Sequence, residues 1–153
     1  MNIINKRDEH YMNIALKEAL IAYNEDEIPI GAIIVHKDKI ISRGYNQSQK
    51  LKDSTAHAEM LAITAAASTL GDWRLDDCDM YVTLEPCIMC SGAIIKSRLK
   101  NIFFGAYNNK DGGVASLYNI CNDSRLNHQV GIQGGILKEE CSYILNLFFK
   151  DIV

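Results

Sequence analysis

The 153-residue chain has no long apolar run. No uninterrupted apolar stretch reaches the roughly 18 residues that a membrane-spanning helix needs. The N-terminus also lacks the apolar core of a signal peptide, because charged residues occupy positions 6–9. We therefore expect a cytoplasmic protein without a membrane segment.

The sequence also lacks the cysteine pattern of a disulfide scaffold. Its five cysteines are an odd number, and Cys78, Cys121 and Cys141 are widely separated along the chain. Secreted disulfide scaffolds carry an even, dense set in a shorter chain. We interpret the three separated cysteines as small buried hydrophobic residues. Cys87 and Cys90, which are three positions apart, remain as either a metal site or a redox pair.

No excess of positive charge marks the chain as a nucleic-acid binder. The net charge is −3, so the molecule as a whole has no field that attracts phosphates. Lysine and arginine do form local groups, among them Lys96, Arg98 and Lys100 in the stretch KSRLK. A solvated surface is the usual explanation of such a group, and phosphate contact is the alternative.

Repeats, low-complexity stretches and linkers are absent too, and the length is that of one domain. Apolar periodicity predicts helices over 8–24, 57–70, 85–97 and 136–153, with a short one after the Gly-rich segment 111–116. Strands are predicted as a hairpin within 27–46 and over 79–84, 101–106 and 129–134. Strands that are separated by helices should be parallel neighbours. We expect a single three-layer α/β/α domain over 1–153 with a mixed five-stranded sheet.

The spacing of three residues suits a metal. On a helix, Cys87 and Cys90 share one face, and Pro86 is favoured in a first turn, where the helix dipole stabilises thiolates. His57 begins the preceding long helix. Both helix starts should lie at the same edge of the sheet. Two thiolates and one imidazole make a three-ligand zinc site with a fourth position for water.

Glu59 indicates that this zinc site is catalytic. A structural zinc site has no use for a carboxylate two residues from a ligand, whereas hydrolysis needs a group that takes a proton from water and delivers it to the substrate. A redox pair would need neither His57 nor Glu59. His-x-Glu followed by Pro-Cys-x-x-Cys is the zinc-deaminase signature. The other histidines are assigned to surface or packing roles: His10, His36 and His128.

The chain resembles the bacterial tRNA-specific adenosine deaminases of the cytidine-deaminase-like superfamily. The motifs that carry the resemblance include IPIGAIIV, TAHAEMLAI, MYVTLEPCIMCSGAII, SRLKNIFFGA and LNHQVGIQGGILKEEC, within Tyr11 to Phe149. The resemblance implies a cytidine-deaminase-like fold, one zinc per subunit and a homodimer. It also implies that the substrate is the wobble adenosine of a tRNA anticodon stem-loop, which is converted to inosine with release of ammonia.

Substrate contacts follow from the same resemblance. Asn46 matches the residue that contacts the purine, with the usual role of asparagine in turns as the alternative. Ile30 and the backbone at Ala58 match walls of the pocket, and Lys110 is a candidate phosphate contact. Relatives usually have an aspartate where this chain has Asn108, so we expect a narrower preference for ribose over deoxyribose.

Two other functions remain open at this point. A deaminase of a free base or nucleoside, of the guanine or cytosine type, would use the same zinc site. A noncatalytic zinc module for RNA binding would not need Glu59, which this chain retains.

Overall fold

A five-stranded β-sheet between two layers of helices forms the centre of the protein. The computed structural model describes residues 5–151 of the chain. The elements, in chain order, are α1 (Lys6–Asn24), β1 (Gly31–His36), β2 (Lys39–Tyr45), α2 (Ser48–Leu51), α3 (Ala58–Leu70), β3 (Cys78–Leu84), α4 (Ile88–Lys96), β4 (Asn101–Ala106), a 3₁₀ helix (Ile120–Asn122), β5 (Gly131–Gln133) and α5 (Lys138–Asp151).

The strands lie in the order β2-β1-β3-β4-β5, and the sheet is mixed as predicted. β1 is antiparallel to both β2 and β3, whereas β3, β4 and β5 are parallel. The predicted hairpin turns at Lys37 and Asp38, which both have positive φ (50° and 62°), as in a type I′ turn. In the sheet, β1 lies between β2 and β3, although the chain passes from β2 to β3 through α3.

The two faces of the sheet bury two separate cores. Successive strand residues point to opposite faces, so Ile34 packs with α3 and α4, while its neighbours Ile33 and Val35 pack with α1 and α5. All three side chains are buried. The predicted three-layer α/β/α arrangement is confirmed.

Several details differ from the prediction. The single turn of helix α2 was not predicted, because four residues are too few to show helical periodicity. The predicted short helix after the Gly-rich segment is one turn of 3₁₀ helix. The closing helix begins at Lys138, two residues later than predicted, and the last two residues of its predicted range, Ile152 and Val153, lie outside the described residues.

The three separated cysteines are buried, free thiols, as the sequence predicted. Burial raises the pKa of both Cys121 and Cys141 to about 12, so neither is reactive near neutral pH. His128 also has the packing role that was expected, since its Nε2 lies 2.8 Å from the carbonyl oxygen of Leu99. Within residues 5–151, no helix is long and apolar enough to cross a membrane.

The ends of four strands meet at one edge of the sheet because of the strand directions. β2 and β4 end there, β3 ends there at Leu84, and the antiparallel β1 begins there at Gly31. Helices α3 and α4 also begin at this edge, because each one follows a connection near it and then runs back along the sheet. Their free N–H groups therefore face the same space.

A close approach between Gly44 of β2 and the first turn of α3 holds this helix start in place. A Cβ at position 44 would lie 2.5 Å from the carbonyl oxygen of Ala58 and 3.0 Å from the backbone nitrogen of Ala62. Only glycine leaves room for that approach. Ala58 lies between His57 and Glu59, so the approach also sets the position of both predicted site residues.

We predict that Gly44→Ala destabilises the protein by about 1–3 kcal/mol, because the added methyl group pushes α3 away from the sheet. Thermal or urea unfolding of the zinc-loaded protein measures the change. Arg43→Lys is the control, since Arg43 is exposed on the same strand and should stay within about 0.5 kcal/mol of the parent. A Gly44→Ala protein as stable as this control would contradict the packing argument.

Candidate active site

The predicted metal ligands meet at the edge of the sheet where α3 and α4 begin. His57 is the N-cap residue of α3, and Cys87 is the N-cap residue of α4. Cys90 lies in the first turn of α4 and is fully buried. The structure thus brings together three residues from two separate segments of the chain.

The start of α4 corrects one sequence prediction. Pro86 was expected in the first helical turn together with Cys87, but the helix begins at Ile88 and Cys87 is still extended, with φ −72° and ψ 177°. The reason is a contact with a later loop: Pro86 accepts a hydrogen bond from the N–H of Gly113 (2.9 Å), and Cys87 forms an antiparallel bridge with Gly112. These contacts hold the segment in a strand-like conformation as far as Cys87.

The distances between the three ligand atoms fit a tetrahedral metal ion. Nδ1 of His57 lies 3.6 Å from Sγ of Cys87 and 3.5 Å from Sγ of Cys90. All three atoms lie within 4.8 Å of one another. Zinc bonds of about 2.3 Å to sulfur and about 2.0 Å to nitrogen, at tetrahedral angles, separate such ligand atoms by about 3.5 Å.

Without a cation, the two thiols cannot both ionise. The hydrogen bond from Cys90 lowers the pKa of Cys87 to about 4. The same hydrogen bond, together with burial, raises the pKa of Cys90 far above its ordinary value. The hydrogen bond with Cys87 also raises the pKa of His57. A divalent ion between the three groups would stabilise both thiolates and a neutral imidazole, so the donor set fits zinc.

Glu59 is buried beside the ligands, and it has an unsatisfied oxygen. The residue is 3% exposed, and burial raises the pKa of its carboxyl group to about 7. Its Oε1 is the only buried side-chain oxygen or nitrogen of residues 5–151 without a hydrogen-bond partner. A buried carboxylate oxygen without a partner is costly. Its position and its pKa suit a group that accepts a proton and then returns it.

A cavity of about 700 Å³ opens at this edge of the sheet and includes His57, Glu59 and Cys87 in its walls. Four of the five predicted substrate contacts line it: Ile30, Asn46, Asn108 and Lys110. Ala58 does not line the cavity. It is fully buried, and its carbonyl oxygen faces Gly44.

The basic group of KSRLK does not line the cavity. Lys96 ends α4, and Lys100 precedes β4, with its N–H bonded to the carbonyl oxygen of Cys78 at the start of β3. These residues therefore lie at the opposite edge of the sheet. Arg98 is 3.9 Å from Asp76 and is partly exposed, as expected for a solvated group. The group therefore lies away from the cavity, and a phosphate contact by it remains a prediction.

Sequence reasoning missed two buried carboxylates in the cavity walls, Glu27 and Glu85, each only 1% exposed. Glu27 accepts the N–H groups of Gln49 (3.0 Å) and Lys50 (2.7 Å), which fixes α2. Glu85 accepts N–H groups from the loop that follows β4. Glu85 stands in the apolar stretch YVTLEPC, and an acidic residue in such a place is a usable signal. Glu27 gives no such signal, because it directly follows Glu25 and Asp26.

Hydrogen bonds keep Glu85 ionised despite its burial. Burial acts to raise the pKa of Glu85, but the bonds from Ser116, Ala115 and Asn108 outweigh it and hold the pKa below its ordinary value. A carboxylate that accepts several backbone N–H groups behaves in this way. Its charge is therefore present at neutral pH.

Asn108 has a local role in the same loop. Its Oδ1 accepts the N–H groups of Lys110 (3.2 Å) and Asp111 (3.0 Å), as in an Asx turn. The side-chain oxygen is thus already engaged by the backbone. A contact between Asn108 and a ribose remains a prediction, and the group best placed to make it is the side-chain NH₂.

The C-terminal helix forms a further wall of the cavity that the sequence did not predict. Leu145, Asn146, Phe148 and Phe149 of α5 line it, as does Tyr107. Tyr107 and Phe149 are 43% and 51% exposed. Exposed aromatic rings beside a cavity offer surfaces on which bases stack.

Fold and site together define a zinc-dependent deaminase. Residues 5–106 match the family model described as the cytidine and deoxycytidylate deaminase zinc-binding region. A tRNA-specific adenosine deaminase from Bacillus subtilis is 44% identical over 146 residues, which are 95% of this chain and 91% of that protein. One from Aquifex aeolicus is 47% identical over 144 residues, 94% of this chain and 95% of that protein. The chain belongs to the tRNA-specific adenosine deaminase family.

Solved structures agree with this assignment. One from a study of A-to-I editing by tRNA:A34 deaminases at the wobble position of transfer RNA superposes with a TM-score of 0.86 at 40% identity, and covers 89% of this chain and 99% of that one. A guanine deaminase from Bacillus subtilis, also 40% identical, has a TM-score of 0.62 and covers 70% of this chain and 66% of that one. The cofactor is zinc, one ion per subunit.

We predict that Cys90→Ala abolishes stoichiometric zinc binding, because two remaining ligands cannot complete the site. Elemental analysis of folded, reconstituted protein should find one zinc per chain in the parent and close to none in the variant. Cys121→Ala is the matched control, since it also removes a buried thiol but lies outside the ligand set. Equal zinc content in Cys90→Ala and the control would contradict the ligand assignment.

Proposed function

We propose that the protein deaminates the wobble adenosine in a tRNA anticodon loop, which gives inosine and ammonia. The observation that carries the reaction type is the unpaired, buried oxygen of Glu59 beside the ligand set His57, Cys87 and Cys90. The substrate class is supported by relatives of this specificity that match nearly the whole chain. An anticodon loop suits the cavity, because its bases are unpaired and extrusion of one is inexpensive.

Glu59 performs the proton transfers in this proposal. Zinc, when bound, supplies an activated water for attack on C6 of the adenine ring. Glu59 accepts a proton from that water and delivers it to N1 of the ring. It then takes the second proton of the water from the oxygen that is now bonded to C6, and delivers it to the amino group. The bond between C6 and the amino nitrogen breaks, and ammonia leaves. Burial supports this role, because it raises the pKa of the carboxyl group and so brings the protonated form closer in free energy to the ionised form.

Asn46 is proposed to hold the purine. It is 4% exposed, lines the cavity, and its N–H donates to the carbonyl oxygen of Ile30 (3.1 Å), which fixes its position. An amide both donates and accepts, as a purine edge requires. Ile30 would form the apolar wall, and the backbone at Ala58 would lie behind the base. Lys110, on the loop after β4, would contact a phosphate of the flanking nucleotides.

A deaminase of free guanine is the second candidate. The likeness to the guanine deaminase from Bacillus subtilis favours it, but that likeness covers a smaller share of both chains than the tRNA deaminase match does. The cavity also has a basic group, Lys110, that a small neutral base does not need. A noncatalytic module is disfavoured because Glu59 is present and buried at the ligand set.

The protein is further proposed to be a cytoplasmic homodimer, as the family resemblance implies. Exposed apolar side chains occur at the start of α4 and in the loop after β4: Ile88, Leu117 and Tyr118. Burial of such side chains against a second copy would be favourable. Light scattering at micromolar concentration should give twice the mass of one chain, and a pure monomer would contradict this proposal.

The decisive test of the substrate compares three assays at one salt concentration. We predict inosine formation in a synthetic anticodon stem-loop RNA with adenosine at the wobble position, and no comparable turnover of free guanine or cytosine. The matched control RNA moves the adenosine one position along the loop. Turnover of guanine without turnover of the RNA would favour the second candidate.

We predict that Glu59→Ala keeps zinc and the fold but lowers kcat about 10²- to 10⁴-fold or more, because this one residue serves several proton transfers. Single-turnover measurements on the stem-loop RNA, with zinc content measured in parallel, give the effect. Glu139→Gln is the control, since Glu139 is exposed on α5 and outside this cavity. A Glu59→Ala protein within a few-fold of the parent rate would rule out the assigned role.

A further inference from the structure

One buried carboxylate holds the loop that forms a wall of the active-site cavity. Glu85 follows the last residue of β3, and both of its side-chain oxygens point into the loop Asn108–Ser116. Oε1 accepts the N–H of Asn108 (3.1 Å) and the hydroxyl of Ser116. Oε2 accepts the N–H groups of Val114 (3.2 Å), Ala115 (2.8 Å) and Ser116 (2.9 Å).

This carboxylate joins two parts of the cavity that are far apart in sequence. On one side, Glu85 is two residues before Cys87, and its own N–H donates to the carbonyl oxygen of Ala106 (2.9 Å). On the other side, the loop carries Asn108 and Lys110, which line the cavity mouth. A Cβ at Gly112 would collide with the Glu85 carboxylate. The loop is thus closed tightly around the charge.

Only a carboxylate satisfies all of these donors. Each of its oxygens accepts at least two hydrogen bonds, and an ionised group makes them stronger than a neutral one. Glutamine has the same size but a single acceptor oxygen. Its NH₂ group would face N–H or hydroxyl donors whichever way it is turned.

We propose that Glu85 is a positioning residue for the RNA substrate: its carboxylate fixes the loop Asn108–Ser116 against the zinc-binding segment and so places Lys110 at the mouth of the cavity. The proposal rests on the proposed function, because it takes RNA as the ligand that Lys110 contacts. Glu85 touches neither the ligand set nor the reacting atoms in this role. It acts through the loop.

The first experiment measures the loop without any substrate. Hydrogen exchange of the zinc-loaded protein should show the amides of residues 114–116 exchanging at least about tenfold faster in Glu85→Gln than in the parent, with zinc content unchanged. Unchanged protection of these amides would overturn the proposal. Ser116→Ala removes one of the five hydrogen bonds and provides a milder variant if Glu85→Gln does not fold; it should speed exchange of the same amides.

The second experiment measures binding of the stem-loop RNA in a Glu59→Gln background, where turnover is suppressed. Lys110→Ala should weaken binding and lower the slope of log Kd against log salt by about 0.7 to 0.9, as expected for one lost phosphate contact. Glu85→Gln should raise Kd roughly tenfold, and it should lower the salt slope by the same amount as Lys110→Ala does. The double variant should be no worse than Glu85→Gln alone, because the loop already misplaces the lysine.

A merely structural role of Glu85 predicts a different pattern. The effects of Glu85→Gln and Lys110→Ala on Kd would then add, and the salt slope of Glu85→Gln would equal that of the parent; either result overturns the proposal. Glu27→Gln is the matched comparison, since Glu27 is another buried carboxylate of the cavity and fixes α2, not the loop, through Gln49 and Lys50. In that variant, Lys110→Ala should keep its full effect. If the background protein binds no stem-loop RNA, the proposed substrate is wrong, and hydrogen exchange alone decides whether Glu85 holds the loop.

Discussion

Two thiol sulfurs that lie 3.6 and 3.5 Å from one imidazole nitrogen can both ionise only around a cation. The remaining structure serves to bring these groups together at a sheet edge. Three features fix the position of this set: the extended segment that ends at Cys87, the bridge between Cys87 and Gly112, and the close packing of α3 on Gly44. Glu59 can remain buried with an unpaired oxygen because its neighbours are fixed in this way.

The grouping of the three ligands with Glu59 could be predicted because it depends on local spacing. Cys87 and Cys90 are three residues apart, and His57 and Glu59 are two apart; each pair needs only one helix start to face the same way. The β-α-β order then brings both helix starts to one edge. The prediction placed Pro86 inside the helix, because the hydrogen bond that keeps it extended comes from Gly113, which is 27 positions away and invisible to local patterns.

Several features of these residues depend on distant parts of the chain and are not visible in local patterns. Charge patterning indicates that Lys96 and Lys100 are exposed, but it does not show at which end of the sheet they lie. Glu85 could be recognised as an acidic residue in an apolar run, yet its donors belong to a loop without periodic pattern. From the sequence, Asn108 was interpreted as a replacement of an aspartate that contacts the ribose in relatives. The structure adds that its side-chain oxygen closes a turn of its own loop.

The hydrogen bonds around Glu27 and Glu85 fix two walls of the cavity, and these bonds are separate from the group formed by Glu59 and the zinc ligands. One carboxylate anchors the wall with α2, the other anchors the loop after β4, and the unpaired oxygen of Glu59 takes no part in either anchor. Substitutions of wall residues that leave these anchors intact can therefore change the shape of the cavity without moving Glu59 or the ligand set.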